Sequence, residues 1–279
     1  MTPVVEQASD SFVGRLTRLL VLPLVKGRKI TSAWVSENAP RLVQLVTRDE
    51  FARLLPEHRI EDVSRRGKYL IFNLDRGMQW VVHLRMTGRL RHNKSECDDD
   101  PYLRAKFSLD DGTWVCFNDV RKFGMMWLVD DWALVHPGLG PEPLEAEFET
   151  VAFVGLLKRR SAPVKALLLD QTVLAGVGNI YADEALFAAG IDPRKAGNNI
   201  SRPKAERLHD TIIEVLNEAL GDRGSSFRDY VDGQGNEGRH QLKVKVYQRT
   251  DEPCYVCGTP VRRVVVGGRS THFCPKCQR

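Results

Sequence analysis

Two pairs of cysteines near the end of the chain have the spacing of a metal site. Cys254 and Cys257 stand in "EPCYVCG", Cys274 and Cys277 stand in "FCPKCQR", and sixteen residues separate the pairs. A hairpin that joins two such pairs places four thiolates at the corners of a tetrahedron, the geometry of structural zinc sites. The alternative is disulfide pairing, which ranks lower because we recognise no secretory signal and cytosolic thiols stay reduced. We therefore expect these four residues to bind one structural zinc ion.

Cys97 and Cys116 are the two remaining cysteines. Neither has a second cysteine at metal-ligand spacing or a nearby histidine pattern. Free buried cysteines behave as small apolar side chains. We interpret both as ordinary strand or loop residues.

A glycine-rich turn between two apolar segments is the second candidate site. In "LLLDQTVLAGVGNIYADEALF", Gly176 and Gly178 allow a ligand to approach the backbone closely, and Asn179 is predicted to cap the next helix. Free backbone N–H groups at such a helix start attract anions. A glycine turn between helices more often serves packing alone, so the nature of the ligand depends on the charge of the rest of the chain.

The positive charge of the chain is concentrated around the cysteines. Residues 241–279 contain eight Lys and Arg against Asp251 and Glu252, a local net charge of +6, whereas the whole chain carries +5. A solvated basic face is common, but a small basic module beside an anion-binding helix start is typical of nucleic-acid binding. These two features together favour a nucleic-acid backbone as the ligand.

The elements that must position these residues form three regions. A chain of 279 residues, 42% hydrophobic and 28% charged, can build two cores, and this composition excludes a disordered protein. Residues 28–130 alternate apolar and polar residues in short bursts broken by turn signals, which is typical of a β-sandwich. Residues 136–144, "HPGLGPEPL", lack periodicity, and apolar residues at helical spacing follow them. The apolar run at 19–25 is much shorter than the roughly 20 residues of a membrane span, so we expect no membrane association.

We therefore predict an α+β multidomain protein. Its expected parts are an N-terminal β-sandwich in residues 1–135, a linker in 136–144, a helical domain in 145–242 and a zinc-binding β-hairpin in 243–279.

Six motifs in fixed order identify a family resemblance over roughly residues 26–279. The chain resembles the formamidopyrimidine-DNA glycosylases of the endonuclease VIII superfamily. The matching stretches are "RRGKYL" (65–70), "HLRMTGRL" (83–90), "DVRKFG" (119–124), "LGPEPL" (139–144), "LLLDQTVLAGVGNIYADEALF" (167–187) and "GGRSTHFCPKCQ" (267–278). The resemblance implies a helix-two-turn-helix domain between the sandwich and the zinc finger. It also implies a base-excision repair glycosylase and AP lyase that removes 8-oxoguanine and formamidopyrimidines from damaged double-stranded DNA. Such an enzyme is expected to be a monomer in the cytoplasm, associated with a bacterial nucleoid.

The resemblance also implies roles for individual residues. Lys68 is similar to the active-site lysine that contacts the target phosphate and assists elimination; outside its motif it would be an ordinary solvated lysine. Met86, Arg121 and Phe123 resemble the residues that fill the gap left by an extruded nucleotide, where an apolar wedge replaces lost stacking. Without the motifs, Met86 and Phe123 would be read as strand core. The implied phosphate contacts are Arg160, Lys165, Asn179 and the finger residue Arg269.

Two segments differ from the family or refine the resemblance. The family's histidine-containing segment is replaced here by "PYLRAK", where Arg104 is the candidate DNA contact. Residues 224–241 are rich in glycine and polar residues, as expected for the loop that covers the extruded base in the oxidised-purine branch of the family.

The opening residues depart most from the family. Its members begin with Pro-Glu-Leu-Pro-Glu-Val-Glu after loss of Met1, and the terminal proline amine is the nucleophile. This sequence reads "MTPVVEQASDSFVGRL", in which Pro3 is internal and Glu6 is the nearest match to a family acid. Three explanations stay open: a different start site, another amine as nucleophile, or a homologue that binds lesions without cutting. An RNA-binding zinc ribbon is a more distant alternative that needs no wedge residues. We expect the chain as written to bind lesion DNA but to cleave it poorly.

Overall fold

The protein is described by a computed structural model that covers residues 21–97, 100–136, 138–222 and 240–279. The described residues divide into two compact units. The first unit contains residues 21–97 and 100–136, and the second contains residues 138–222 and 240–279.

The first unit is a β-sandwich of two antiparallel sheets with four strands each. Its strands are β1 Ile30–Val35, β2 Ile60–Arg66, β3 Tyr69–Leu74, β4 Gln79–His83, β5 Gly88–Asn93, β6 Leu103–Leu109, β7 Trp114–Asp119 and β8 Met125–Val129. The strand orders are β1-β6-β7-β5 in one sheet and β2-β3-β4-β8 in the other. Residues 21–25 are helical, α1 spans Arg48–Leu54, and short 3-10 helices span Asp75–Gly77 and Trp132–Leu134.

Aromatic side chains from both sheets fill the core of the sandwich. Phe72 of β3 stacks on Trp80 of β4 with ring centroids 4.4 Å apart, and Trp80 lies 4.4 Å from Phe107 of β6 in the other sheet. Helix α1 begins with a capping box between Thr47 and Glu50 and buries Phe51 against Phe107. These rings couple the two layers, as the alternating sequence pattern predicts.

The structure corrects our interpretation of Cys97 and Cys116. The two residues form a disulfide, with Cα atoms 6.5 Å apart. They pack with Leu103 and Trp114 in a small buried cluster outside the main core. The bond joins the β5–β6 connection to strand β7, an arrangement that only the folded sheet creates. Spacing along the sequence gives no sign of this contact.

The second unit consists of helices and a β-hairpin. Its elements are α2 Thr150–Lys158, α3 Val164–Leu169, α4 Asn179–Ala188, α5 Arg202–Gly221, β9 Arg262–Val266 and β10 Arg269–Phe273, with 3-10 helices at Gly197–Asn199 and His240–Leu242. Within the residues that the structure describes, no helix combines the length and the apolar character that a membrane crossing requires.

Helix α5 is amphipathic and carries a row of acids. One face buries apolar residues such as Leu208, Ile212 and Leu216. An acidic residue also recurs at every fourth position along the helix and at its C-cap, namely Glu206, Asp210, Glu214, Glu218 and Asp222. We call this set the acidic row.

Candidate functional site

The four cysteines of the C-terminal hairpin converge on one candidate metal site. Their Sγ atoms all lie within 4.8 Å of one another. Cys254 Sγ is 3.9 Å from Cys277 Sγ, and Cys257 Sγ is 3.5 Å from Cys274 Sγ. A metal ion about 2.3 Å from each corner of a sulfur tetrahedron keeps the sulfurs about 3.8 Å apart. The donor set therefore fits one structural metal ion.

The surroundings shift the pKa values of these thiols in opposite directions. Hydrogen bonds from Thr259 lower the pKa of the Cys257 thiol to about 6, whereas burial raises the pKa values of the Cys274 and Cys277 thiols. The backbone N–H of Cys277 also lies 3.4 Å from Cys274 Sγ. The sulfur set is thus supported by groups of its own module.

The hairpin turn next to the metal site presents Arg269. Strands β9 and β10 pair Val266 with Arg269, so Gly267 and Gly268 are the two turn residues between them. Both have positive φ, 56° and 73°, as a two-residue type I′ turn requires. Arg269 is exposed at this turn, and Arg160 is exposed just beyond α2. Both guanidinium groups are accessible to a phosphate.

Two adjacent acids of α4 attach the hairpin module to the helices. Glu184 accepts hydrogen bonds from the backbone N–H groups of Lys245, Val246 and Tyr247 at 2.7–3.0 Å. Burial raises the pKa of the Glu184 carboxyl, and these three donors oppose the shift. Asp183 accepts from the backbone N–H of His272 in β10 at 2.9 Å. The two carboxylates therefore hold both ends of the metal-binding module.

Lys165 completes this attachment from α3. Its side chain is 0% exposed, and Nζ lies 2.6 Å from Asp183 Oδ1 and donates to the Ser270 carbonyl at 2.9 Å. Burial lowers the pKa of the Lys165 ammonium, and the Asp183 carboxylate opposes the shift. Lys165 therefore forms its ion pair and its hydrogen bond within the second unit. Its predicted phosphate contact stays a prediction, and would require Nζ to leave Asp183.

Asn179 has a different position from the one expected. We expected Asn179 to be the N-cap of α4, but Gly178 occupies that position in an extended conformation, and Asn179 is the first helical residue. Its Nδ2 donates to the Ser270 carbonyl at 3.0 Å, beside the Lys165 ammonium. Two donors therefore fix the carbonyl that directly follows Arg269. The phosphate contact of Asn179 stays a prediction.

The topology of the sandwich brings the three expected wedge residues together. Strand β4 pairs with β8 in one sheet, and β5 pairs with β7 in the other. The β4–β5 connection, which carries Met86, therefore lies beside the β7–β8 connection, which carries Arg121 and Phe123. Met86 is 61% exposed and Phe123 is 47% exposed.

These side chains are in direct contact. Arg121 Nη1 lies 3.4 Å from Met86 Sδ, and the Arg121 guanidinium carbon lies 4.7 Å from the Phe123 ring centroid. Large exposed apolar groups in one cluster are typical of a binding surface rather than a core. We call Met86, Arg121 and Phe123 the wedge cluster.

Lys68 lies at the same end of the β2-β3-β4-β8 sheet. It occupies the two-residue turn between Arg66 and Tyr69, which pair across the β2–β3 hairpin. Tyr69 in turn pairs with His83, the last residue of β4 before the Met86 connection. Lys68 is half-buried. The sheet register thus brings the candidate catalytic lysine to the end from which the wedge cluster projects.

An aromatic cluster supports the Lys68 turn. The Tyr69 ring lies 4.7 Å from the His83 ring and 5.9 Å from both Trp127 and His136. Burial and the nearby cations Arg85 and Lys68 lower the pKa of His83 to about 3. His83 is therefore neutral at physiological pH, and its Nδ1 accepts the backbone N–H of Arg85 at 2.9 Å.

Arg104 is buried at the base of the wedge cluster. Its Nε donates to the Asp119 carbonyl at 3.0 Å, and its Nη1 donates to the carbonyls of Pro101 and Leu103. The structure gives this guanidinium partners in its own unit. The predicted DNA contact of Arg104 stays a prediction and would require it to leave these carbonyls.

Two sequence predictions fall outside the described residues. Glu6 and the opening segment precede residue 21, and most of the loop predicted at 224–241 lies in 223–239.

Our sequence analysis did not identify several residues that organise the site. Asp183 and Glu184 stand in the apolar helix "IYADEALFA", where buried carboxylates need partners. Two acids within an apolar segment are therefore a sequence signal that could have identified them. Thr87 and Asp119 stand inside matched motifs, but the hydrogen bonds that link them depend on the contact between two connections.

Sequence models of known families match most of the chain. The formamidopyrimidine-DNA glycosylase N-terminal domain matches residues 14–126. The formamidopyrimidine-DNA glycosylase H2TH domain matches residues 139–230. The zinc finger found in FPG and IleRS matches residues 251–279.

Individual relatives are similar to this chain over nearly its full length. The formamidopyrimidine-DNA glycosylase of Heliobacterium modesticaldum is 42% identical over 284 residues, covering 99% of both chains. That of Bacillus subtilis is 42% identical over 260 residues, covering 91% of this chain and 93% of the relative.

Solved structures extend the likeness to the fold. The Lactococcus lactis Fpg in complex with DNA containing an abasic site is 34% identical, with a TM-score of 0.87 over 96% of this chain and 98% of that one. The MutM (Fpg) protein of Thermus thermophilus is 39% identical, with a TM-score of 0.85 over 95% of this chain and 97% of that one. The predicted fold and family are confirmed: with a β-sandwich, a helical H2TH domain and a four-cysteine zinc finger domain, the chain belongs to the formamidopyrimidine-DNA glycosylase family of DNA repair glycosylases.

Proposed function

We propose that the protein excises oxidised purines, such as 8-oxoguanine and formamidopyrimidines, from duplex DNA and then cleaves the strand as an AP lyase. The observation that carries the proposal is the exposed wedge cluster, in which an aliphatic thioether, a guanidinium and an aromatic ring meet at the same end of the sandwich as the Lys68 turn. The Lactococcus lactis relatives were solved with DNA containing an abasic site or Fapy-dG, which supports damaged duplex DNA as the partner.

The wedge cluster has the chemistry that base extrusion needs. Extruding a nucleotide costs a few kcal/mol of stacking and pairing. Met86 and Phe123 offer apolar surface to the gap, and the Arg121 guanidinium offers donors to the orphaned base. In this proposal Lys68 binds the phosphate of the extruded nucleotide. Arg160, Arg269 and Asn179 contact the duplex backbone, and the linker and domain boundaries follow the sequence prediction.

We propose that zinc is the metal of the four-cysteine site. A set of four thiolates matches a structural zinc site, which is closed and takes no part in the chemistry. On this proposal the ion holds the hairpin in place and Arg269 with it. We also propose that the protein acts as a monomer on DNA in the cytoplasm.

A lesion-binding homologue with weak catalysis is the second candidate. The observation in its favour is the opening sequence "MTPVVEQ", in which Pro3 is internal and a carboxylate first occurs at Glu6. A displacement of about 1 Å in a nucleophile can cost on the order of a hundredfold in rate. In this second candidate the chain recognises lesions but cleaves them weakly.

Truncating the wedge is expected to remove lesion preference while sparing general DNA affinity. Met86→Ala and Phe123→Ala should each lower the preference for an abasic-site or 8-oxoguanine duplex over an undamaged duplex by about tenfold, because stacking of one base is worth about 1–3 kcal/mol. Arg269→Ala should weaken both complexes and flatten the salt dependence, because phosphate contacts carry no lesion information. The measurement is fluorescence anisotropy on paired duplexes at several salt concentrations.

Val151→Ala is the matched control for these variants. Val151 is a 74% exposed apolar residue of α2, so its truncation also removes exposed apolar surface. It should leave both affinities unchanged. Equal losses on lesion and plain duplexes in the two wedge variants would rule out the wedge assignment.

Borohydride trapping tests the proposed chemistry. An amine that displaces the base at the sugar anomeric carbon first forms an aminal, and breaking the C1′–O4′ bond of the sugar ring then gives an iminium, which hydride reduces to a stable protein–DNA adduct. The first candidate predicts efficient adduct formation by the chain as written. The second candidate predicts little adduct unless residues 1–8 are replaced by the family opening, and the opening sequence leads us to expect this second result. The readout is the fraction of 8-oxoguanine duplex that becomes covalently bound.

The outcomes of this test separate the two candidates. Efficient trapping by the unmodified chain, mapped by mass spectrometry to Thr2 or Lys68, would establish another nucleophile and contradict the expected poor cleavage. Lesion binding without trapping by either protein would favour the non-cleaving homologue. Absence of any lesion preference would refute both.

A further inference from the structure

We propose that Asp119 is the positioning residue of the wedge cluster: its buried carboxylate holds the Met86 connection and the Arg121–Phe123 connection in one arrangement. This inference rests on the proposed function, because it assigns a task to a residue that does not itself reach the duplex. Asp119 is the last residue of β7 and is 1% exposed.

The carboxylate of Asp119 joins the two connections. Its Oδ1 accepts hydrogen bonds from the Thr87 hydroxyl and, at 3.1 Å, from the backbone N–H of Arg121. Its Oδ2 accepts the backbone N–H of Gly124 at 2.7 Å. Thr87 directly follows Met86, while Arg121 and Gly124 flank the segment that carries Phe123. One side chain thus binds both parts of the wedge cluster.

Thr87 reinforces this link from its own side. The backbone N–H of Arg121 lies 3.1 Å from Thr87 Oγ1 as well as 3.1 Å from Asp119 Oδ1. The hydroxyl of Thr87 therefore bridges the Asp119 carboxylate and the Arg121 backbone. A buried network of this kind is stable only when each member keeps its partners.

The main chain of Asp119 is also fixed. Its N–H donates to the Tyr102 carbonyl at 2.9 Å, and its carbonyl accepts from Arg104 Nε at 3.0 Å. The carboxylate therefore projects from an anchored backbone. Arg104, which we expected to contact DNA, is instead buried and stabilises the backbone of Asp119.

The backbone of both connections is strained at the residue that precedes each apolar wedge side chain. Arg85, before Met86, has φ 55°, and Lys122, before Phe123, has φ 59°. Non-glycine residues rarely adopt this region and need surrounding contacts to stay there. Asp119 provides such contacts on both sides.

Gly124 shows how closely the second connection folds around the carboxylate. A Cβ atom at Gly124 would lie 2.3 Å from the Phe117 ring and 3.2 Å from Asp119 Oδ2. Only glycine allows this approach, which brings the Gly124 N–H to Oδ2. The β7–β8 connection therefore packs directly against the Asp119 carboxylate.

An asparagine amide at position 119 cannot accept the same hydrogen bonds. Three donors converge on the two carboxylate oxygens, whereas asparagine offers one oxygen and turns an NH2 group towards a donor. Asp119→Asn is therefore expected to release the wedge cluster while its side chains remain present. Lost preorganisation then appears as lost lesion preference.

The experiment compares Asp119→Asn, Thr87→Val and Thr87→Ser with wild type. Each is measured for affinity to an abasic-site duplex and to the matching undamaged duplex, and for fluorescence of 2-aminopurine opposite the abasic site. We expect Asp119→Asn and Thr87→Val to lower lesion preference and wedge insertion by about tenfold, and Thr87→Ser, which keeps the hydroxyl, to retain both. Undamaged-duplex affinity should change by less than about twofold, because phosphate contacts set it.

Asp111→Asn is the matched control. Asp111 accepts from Thr113 in the turn at the other end of β7, with Oδ1 3.0 Å from the Thr113 N–H. It is a turn carboxylate of the same sheet that is not hydrogen-bonded to the wedge connections. This variant should keep the lesion preference of the wild type.

A double-mutant cycle separates positioning from general stability. If Thr87 and Asp119 act through the wedge, Thr87→Val should lower lesion preference in the wild type but not in a Met86→Ala, Phe123→Ala background. Circular dichroism melting identifies variants that fail to fold. If Asp119→Asn fails to fold, the Thr87→Val and Thr87→Ser pair decides alone.

Failure of this inference is distinguishable from failure of the proposed function. Loss of preference in Met86→Ala and Phe123→Ala, with full preference in Asp119→Asn and Thr87→Val, would overturn the positioning role and leave the function intact. A wild-type protein without lesion preference would overturn both.

Discussion

Replacing Cys274 with serine is expected to abolish stoichiometric metal binding and to cause the largest loss of DNA affinity among single changes in the second unit. Cys274 is fully buried in the sulfur cluster, beside Cys254 and Val261. Structural zinc contributes apparent binding free energies of about 10–16 kcal/mol to small zinc-finger peptides, so the module depends on its metal. Without the ion the hairpin should lose its order, and Arg269 should no longer be held at its turn. Metal analysis and anisotropy titrations measure the two effects.

The β-sandwich should survive this change, because its core is formed by residues of the first unit. Cys97→Ser is the control, since it replaces a buried cysteine of the first unit, whose disulfide with Cys116 lies outside the sulfur cluster; it should retain the metal and the affinity. Protein purified without chelator that contains no stoichiometric zinc would refute the site. So would a Cys274→Ser protein with wild-type metal content.

Replacing Lys165 with methionine is expected to destabilise the second unit strongly. The ammonium and the Asp183 carboxylate are both 0% exposed, so removing one charge leaves the other buried without its partner. Breaking such a pair costs about 3–5 kcal/mol. Arg269 should also move, because Lys165 binds the next carbonyl in the chain. Urea unfolding and duplex binding report these effects.

The double variant Lys165→Met, Asp183→Asn makes the prediction sharper. It removes both charges and keeps an oxygen for the His272 N–H, so it should recover most of the lost stability. Lys158→Met is the control, because Lys158 is an exposed lysine of α2 and should be neutral in unfolding. A direct phosphate contact makes the opposite prediction for Lys165→Met: unchanged unfolding, weaker binding and a salt slope reduced by about one. That result would restore the role that the resemblance implies.

Features that depend on local spacing were predictable from the sequence. Alternating apolar residues indicate the sandwich strands because side chains on a strand point alternately to its two faces. The two C-x2-C pairs indicate the sulfur site because a short knuckle fixes two thiols at once. The glycines at 267 and 268 mark a turn because few other residues accept their φ values.

Features that depend on partners distant in the sequence were not predictable in the same way. Lys165 in "PVKALLL" looks exposed until α4 places Asp183 beside it. Cys97 and Cys116 look unpaired until β7 meets the connection before β6. Our prediction placed the N-cap of α4 one position too late, at Asn179, because the extended Gly178 can cap a helix without a side chain.

The acidic row of α5 gives the second unit a side that repels a polyanion. Asp210, Glu214 and Glu218 are exposed. Arg202 pairs with Glu206, and Lys243 pairs with Glu218 and Asp222. Arg207 lies beside Glu206, Asp210 and Glu214, so the acids outnumber the cations along this row. Duplex DNA carries one charge per roughly 1.7 Å of its axis, so a collision on this side is unfavourable before any contact forms. A collision near the basic hairpin is favourable. We therefore expect the helix to affect encounter kinetics: it should lower the share of approaches that stall in the wrong orientation, within a screening distance of about 10 Å at 0.1 M salt.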